Sequence, residues 1–246
     1  MTGYGQFCSV ARAHEVIGGR WTILIVRELL CGSRRFNDIR RGIPRISRTM
    51  LAERLQALTL VGAVARVDGE HGPEYVLTDA GSDLATLVST LAAWGQRWLP
   101  RQPVEDLDLG PVLIDMQRRA RLDRLPKHPI VARFEMRQTR PQFMLLKRAE
   151  AAVCTHNPGF PEPLRMRGPL PALVAWWRGD ASFAEARRMG LVLDGPPSLA
   201  RAFPGWFDRY QFAHIGPAVT NECPDFEVRR RSALGSGATF EIKRGH

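Results

Sequence analysis

The chain has 246 residues, of which 44% are hydrophobic, 24% charged and 8% aromatic. This composition is that of an ordinary globular protein, and it excludes a miniature scaffold that depends on disulfides. The net charge of +10 would suit a polyanionic partner, either nucleic acid or an acidic membrane surface. However, 32 of the 35 basic residues are arginine, a skew that a GC-rich genome produces without a functional reason. The position of the charge along the chain must therefore decide whether it indicates a polyanionic partner.

The cysteines and the apolar stretches indicate a cytoplasmic protein. No cysteine pair has the short spacing of a disulfide framework or a metal site. The first ten residues lack the basic leader and apolar core of a signal peptide. The most apolar stretch, residues 21–30, contains Arg27 and Glu28 and is far shorter than the roughly 20 residues of a membrane span. The four cysteines are Cys8, Cys31, Cys154 and Cys223.

The first hundred residues are predicted to be mainly helical. Apolar residues recur at helical spacing over 8–17 and 21–30, and a short third helix covers 36–41 before Pro44 prevents its continuation. Ser47 is the expected N-cap of a fourth helix that stops near Gly62. The buried stripe of this fourth helix is expected to be Leu51, Leu55 and Leu58.

A hairpin and a long helix are predicted next. Residues 63–67 and 74–77 are β-branched and apolar on either side of the turn-forming segment DGEHGP, which predicts a narrow wing. Thr78 then caps a long helix with apolar side chains at alternating steps of three and four. This seam favours homodimerisation through the helix, and packing within the same chain is the alternative. The seam consists of Leu84, Leu87, Leu91, Trp94 and Trp98.

The chain is predicted to be an α+β protein of two domains. Residues 99–111 contain three prolines and no periodicity, which marks a boundary. We therefore divide the chain into a head (1–99), a linker (100–111), a second domain (112–207) and a tail (208–246) of doubtful order. The second domain is expected to hold a mainly antiparallel sheet. Its predicted elements are a helix at 112–125, strands at 132–136, 142–148, 151–155, 164–167 and 191–195, a helix around Trp176, a capping box from Ser182 to Glu185, and a helix at 198–207.

Basic residues are concentrated between positions 34 and 54, around the predicted third and fourth helices. Seven arginines face two acids there, a local net charge of +5, which is half that of the whole chain. A recognition helix reads base edges from its N-terminal residues while flanking cations neutralise phosphates. Helix-turn-helix spacing and the following wing favour double-stranded DNA as the partner over a merely solvated face. The candidate DNA-binding residues are Arg34, Arg35, Arg45, Ser47, Arg48, Thr49, Ala52, Arg54 and, in the wing, His71.

Several phrases of the head resemble one protein family in the same order. IGGRWT, RRFNDIRRGIPRIS, LAERLQAL, YVLTDAG and AAWGQRW, over residues 8–98, are similar to HxlR-type winged-helix transcriptional regulators, relatives of the MarR group. The resemblance implies a homodimer joined through terminal helices, with the helix of residues 47–60 in the major groove. It also implies a wing near Glu70 and His71 on the DNA backbone or minor groove, although this wing carries the acids Asp68 and Glu70.

The resemblance also makes Cys8 a candidate redox sensor. Some relatives place a sensing thiol at this N-terminal position. Sensing requires a thiolate, which a helix N-terminus or a cation such as Arg12 would favour. The alternative is a small apolar side chain in the first turn.

The second domain resembles the last third of a sterol-carrier-protein-like domain. The similar segment is PALVAWWRGDASFAEARRMGLVLDGPPSLARAFPGWF. The resemblance implies an apolar tunnel for a lipid-like small-molecule effector, whereas ordinary core packing is the alternative. The candidate pocket residues are Phe134, Met136, Phe143, Leu145, Trp176, Trp177 and Phe183.

Other function classes have less support. The chain shows no zinc-ligand spacing, nucleophile elbow or phosphate loop, so we expect neither an enzyme nor a metal or cofactor site. His14, on an apolar helix face, is expected to lie in the core. A lipid carrier whose basic head is only a tether remains the alternative to a cytoplasmic, homodimeric DNA-binding regulator.

Overall fold

The computed structural model describes residues 3–216, and these residues form two hydrophobic cores. The first core lies in the head, which comprises six helices and one hairpin. The second core lies in the C-terminal unit, the name used here for the elements from residue 109 onward. The head elements are α1 Ser9–Ile17, α2 Thr22–Leu30, α3 Phe36–Gly42, α4 Arg48–Leu60, β1 Val64–Gly69, β2 Gly72–Leu77, α5 Asp79–Ser82 and α6 Leu84–Trp98.

The helix-turn-helix of the head forms as its sequence predicts. Ser47 is the N-cap of α4, and its hydroxyl accepts a hydrogen bond from the Met50 backbone N–H at 3.1 Å. Leu51, Leu55 and Leu58 are buried in the head core. These leucines are spaced three and four residues apart, so they place one face of α4 in the head core. The opposite face of the helix is exposed to solvent.

The wing is a two-stranded antiparallel hairpin. Gly69 pairs with Gly72, so the turn itself consists of Glu70 and His71. The prediction that Thr78 caps one long helix is wrong in detail, because Thr78 caps the single turn α5 and Asp83 separates it from α6.

Helix α1 corrects a second expectation. None of its residues is buried, and His14 is an exposed residue whose ring nitrogen Nδ1 lies 2.8 Å from the Tyr4 hydroxyl. His14 is therefore not a core histidine, because no residue of α1 belongs to the head core.

The C-terminal unit is an α+β assembly around a five-stranded sheet. The strand order is β5-β4-β3-β6-β7, and only the β3 and β6 pair is parallel, so the mainly antiparallel sheet is confirmed. The elements are α7 Leu109–Arg118, β3 Ile130–Met136, β4 Gln142–Lys147, β5 Glu150–Cys154, β6 Leu164–Gly168, α8 Leu170–Arg178, α9 Phe183–Arg188, β7 Val192–Asp194 and α10 Pro197–Ala202.

Helix α7 begins and ends earlier than predicted. Asp108 caps its N-terminus by accepting a hydrogen bond from the Gly110 N–H at 3.0 Å, and Pro111 occupies the first turn, where a missing N–H costs nothing. The helix stops at Arg118 and not near residue 125. The residues that follow α7 pair with the segment after α10, through an antiparallel bridge between Ala120 and Phe207.

One face of the sheet is covered by α7, α8 and the turns after α10. Alternate residues of β3 point into this core, including Phe134 and Met136. Aromatic rings fill it edge to face, with Trp176 5.1 Å from Phe183 between ring centroids. The predicted capping box of α9 is present, because Ser182 and Glu185 each accept a hydrogen bond from the other's backbone N–H.

Two further expectations concern the chain ends and membranes. Among residues 3–216, no helix combines the length and apolar character needed to cross a bilayer. Most of the predicted tail lies outside the described residues, as does Cys223. The part of it that is described, residues 208–216, runs as irregular chain with a turn at 211–214.

Candidate nucleic-acid interface

The leading turn of α4 presents an open polar surface. Arg48, Thr49 and Ala52 are exposed, and the stripe through Leu51 anchors the opposite side of the helix. The Ser47 side chain is engaged in capping, so its hydroxyl already accepts one hydrogen bond. The helix N-terminus adds the partial positive charge of its backbone N–H groups to that of Arg48.

Arg48 is the freest cation of this surface. Within residues 3–216, no carboxylate lies within ion-pair distance of its guanidinium. It is the first residue of α4 and is exposed. Its side chain can therefore reach a partner without breaking a contact inside the protein.

Arg34 and Arg35 lie at the junction of the helix-turn-helix and the wing. Their guanidinium nitrogens are 3.9 and 3.7 Å from the carboxylate of Glu74 on β2. The Tyr75 N–H donates to the Arg34 carbonyl at 2.8 Å, which fixes the wing against this segment. The two side chains are 65% and 46% exposed, so these long ion pairs are weak and leave both cations available.

Arg45 has a partner outside the head. Its guanidinium lies 3.2 Å from the carboxylate of Asp106 and donates to the Glu105 carbonyl at 3.5 Å. Both acids belong to the short 3-10 turn between α6 and α7. The linker therefore places negative charge beside an arginine that lies just before α4.

Arg54 differs from the other candidates. It is only partly exposed, its guanidinium packs against Gly19, and its Nε is buried without a hydrogen-bond partner among the described residues. This placement makes Arg54 the least accessible of the predicted DNA-binding arginines, because the second half of the helix turns it toward the α1–α2 junction.

The wing tip carries little positive charge. His71 is exposed at the turn, as expected, beside the exposed acids Asp68 and Glu70. Arg66 on β1, which sequence reasoning did not single out, is also exposed on the hairpin. Arg66 lies on the same side of β1 as the buried Val64, so the alternation of the strand gave no signal for its exposure.

An apolar groove of about 600 Å³ runs between α1, α2 and α6. From the predicted seam, Leu84 packs on the head core, which fits the intrachain alternative for that residue alone. The four later seam residues are between 37% and 54% exposed: Leu87, Leu91, Trp94 and Trp98. Trp21, at a left-handed φ of 80°, completes the groove beside Leu24.

Cys8 is exposed and occupies the N-cap position of α1. The backbone N–H groups of Ala11 and Val10, at the start of α1, lower the pKa of its thiol. Cys31 behaves in the opposite way, because burial raises the pKa of its thiol despite the nearby guanidinium of Arg118. Within residues 3–216, no cluster of three His, Cys, Asp or Glu residues could hold a metal ion.

The predicted effector-pocket residues do not share one lining. Phe134, Met136, Trp176 and Trp177 are buried in the core of the C-terminal unit, with Phe183 packed against them. Phe143 and Leu145 lie on the other face of the sheet, since β4 pairs Phe143 with Arg133 and Met144 with Ala132. The guanidinium of Arg133 lies 5.6 Å from the Phe143 ring centroid. A single tunnel lined by all seven residues is therefore wrong.

Sequence reasoning missed a buried carboxylate in the head. Glu28 is 1% exposed, and its carboxylate accepts hydrogen bonds from Arg27 at 2.6 Å and from Arg118 of the C-terminal unit at 2.5 Å. In the sequence, Glu28 is visible only as a charge that interrupts an apolar stretch. The available signal was its position three residues after Ile25, inside the buried stripe of α2.

Comparison with known proteins places the head in a family. The sequence profile described as HxlR-like helix-turn-helix matches residues 16–103. An HTH-type transcriptional regulator of Mycobacterium bovis is 45% identical over 96 residues, 38% of this chain and 60% of the relative. The regulator YvaP of Bacillus subtilis is 38% identical over 91 residues, 36% of this chain and 84% of YvaP. The chain belongs to the HxlR-like helix-turn-helix family.

Two solved structures of regulators are also similar to part of the chain. The reduced form of the transcriptional regulator YodB from B. subtilis shares 34% identity, covers 37% of this chain and 93% of its own, and has a TM-score of 0.33. The redox regulator HypR in its oxidised form shares 32% identity, covers 39% of this chain and all of its own, and has a TM-score of 0.36. The chain spans only 60% of the length of its mycobacterial relative. Because the family profile matches residues 16–103, membership of the HxlR-like family describes the head and not the C-terminal unit.

Proposed function

We propose that the protein is a sequence-specific DNA-binding transcriptional regulator that acts as a homodimer. The observation that carries this proposal is the exposed, capped N-terminus of α4 with Arg48 free at its first position. Flanking arginines at positions 34, 35 and 45 would position the helix by phosphate contacts. The curated relatives of the head are named as HTH-type transcriptional regulators, which supports the same conclusion.

The groove along α6 supports the homodimer. An exposed apolar seam on the last helix of the head is unusual for a monomer, because burial of apolar surface is the main driving force of association. In a homodimer related by a two-fold axis, Leu91 and Trp94 of each copy would be covered by the same surface of the other copy. Two recognition helices would then bind successive major grooves if they lie about 34–36 Å apart.

Control by a signal is the second part of the proposal. We propose that the C-terminal unit is a sterol-carrier-like effector domain that does not use the full predicted lining. An apolar ligand would have to separate the aromatic rings that pack around Phe134 and Trp176 in its core. Oxidation of Cys8 is the other route, supported by its exposure and lowered thiol pKa. Each would act by changing the spacing of the two recognition helices.

The test is selection of a duplex library with 30 random base pairs by the full chain, followed by sequencing. The proposal predicts enrichment of an inverted repeat whose half-sites are about 10 base pairs apart. A matched selection with Arg48→Ala should lose this enrichment. Recovery of unenriched sequences by the wild-type chain would contradict sequence-specific binding.

A further inference from the structure

The head and the C-terminal unit are joined by a buried ion pair. Glu28 of α2 and Arg118 of α7 meet with nitrogen to oxygen distances of 2.5 and 3.4 Å. The Glu28 side chain is 1% exposed and that of Arg118 is 22% exposed. A carboxylate at this depth needs charged or hydrogen-bonding partners, since its desolvation is otherwise very costly.

The same carboxylate lies beneath the end of α3. A Cβ atom added at Gly42 would collide with the Glu28 carboxylate, so the α3 backbone rests directly on it. Arg27 donates one hydrogen bond to Glu28 and another, at 3.2 Å, to the Gly42 carbonyl. The turn that follows Gly42 leads through the buried residues Ile43 and Ile46 to the cap of α4.

Arg118 also holds the other end of α3. Its guanidinium donates to the Ser33 hydroxyl at 3.0 Å, and that hydroxyl lies 3.4 Å from the Glu28 carboxylate. Ser33 belongs to the loop between α2 and α3. One side chain of the C-terminal unit therefore contacts the loop before α3 and, through Glu28, the turn after it.

Arg118 is itself held firmly. Its helix α7 buries Leu113 and Met116 in the core of the C-terminal unit. Burial alone would lower the pKa of the Arg118 guanidinium, but the hydrogen bond and charge of Glu28 outweigh it and the pKa is raised. A second bridge lies at α6, where the buried Gln96 accepts a hydrogen bond from Arg178 at 2.7 Å.

We propose that Arg118 is a positioning residue for DNA recognition: through Glu28 and Ser33 it fixes α3 and the turn that orients the recognition helix α4. This proposal rests on the proposed function. It makes the C-terminal unit part of the DNA-binding apparatus, so that a displacement of α7 reaches the recognition helix through one buried contact.

The test compares Arg118→Gln with Arg119→Gln in the full chain. Arg119 is the C-cap residue that directly follows α7, and it contacts Asp115, the Arg209 carbonyl and Gln211 of its own unit, so its loss is the matched control. Affinity for the selected duplex is measured by fluorescence anisotropy at a temperature where circular dichroism shows folded protein. Amide hydrogen exchange over residues 33–47 is measured without DNA.

The proposal predicts that Arg118→Gln weakens duplex binding at least tenfold and accelerates exchange over residues 33–47. Arg119→Gln should stay within twofold of wild type in both measurements, and Arg118→Lys should recover most of the affinity. If Arg118→Gln does not fold, Ser33→Ala, which removes only a hydroxyl from the network, should show the same changes to a smaller extent.

Unchanged affinity together with unchanged exchange in the Arg118 variant would overturn the positioning role. Changed exchange with wild-type affinity would also overturn it, because Arg118 would then be only structural. If the wild-type chain binds no duplex, the proposed function fails, and the exchange measurement alone decides whether Arg118 orders α3.

Discussion

Arg48→Ala is the substitution that examines the recognition surface most narrowly. Arg48 is exposed and makes no ion pair within the part of the chain that the structure describes, so its loss should change folding stability by no more than about 0.5 kcal/mol. A bidentate arginine contact to a guanine edge contributes about 1–3 kcal/mol. This corresponds to a loss of about 5- to 150-fold in affinity for each half-site.

The assay is an anisotropy titration of the selected duplex at several salt concentrations. Arg201→Ala, an exposed arginine of α10, is the control for the loss of one positive charge. If Arg48 reads a base, the affinity falls while the salt dependence stays nearly the same. If Arg48 neutralises a phosphate, its loss reduces the steepness of the plot of log binding constant against log salt concentration by about one for each contact. Affinity equal to that of the Arg201 variant would refute a role for Arg48 in binding.

Two further substitutions and one labelling measurement examine the linker, the proposed dimer face and the Cys8 thiol. Asp106→Asn should strengthen duplex binding roughly two- to fivefold, because loss of its ion pair frees Arg45 and an exposed ion pair contributes at most about 1 kcal/mol. Asp123→Asn is the charge-matched control. Equal effects of the two substitutions would contradict a role of the linker. Leu91→Glu should convert the proposed homodimer to a monomer in light scattering, whereas the similarly exposed Met189→Glu should not. Cys8 should be alkylated at a lower pH than free cysteine, because its thiol pKa is lowered and the thiolate is the nucleophile. Mass spectrometry of the labelled peptide measures the pH profile of alkylation. The same profile for Cys8 and for free cysteine would contradict this prediction.

Local signals predicted much of the fold. The caps at Ser47 and Ser182 are encoded within four residues of sequence, and the alternation of β3 is encoded within seven. These features require no knowledge of distant parts of the chain. The basic cluster was also visible in the sequence, because charges concentrated in 21 consecutive residues stay close together however the helices pack.

Features that depend on tertiary pairing were not predictable. The run QFMLLK is apolar at successive positions, so only its register with β3 determines that Met144 points to the core and Phe143 away from it. Glu28 acquires its role from Arg118, 90 residues later in the chain. The same applies to Arg45, whose partner Asp106 lies 61 residues away.

The salt dependence of duplex binding by the full chain tests the central claim most directly. If outward-facing arginines around α4 neutralise phosphates, the logarithm of the binding constant falls linearly with the logarithm of salt concentration, with a slope of about −0.9 for each phosphate contacted. With at least three such contacts from each protomer of a dimer, we expect a slope of about −5 or steeper. Absence of duplex binding at low salt, or a slope near zero, would contradict the account.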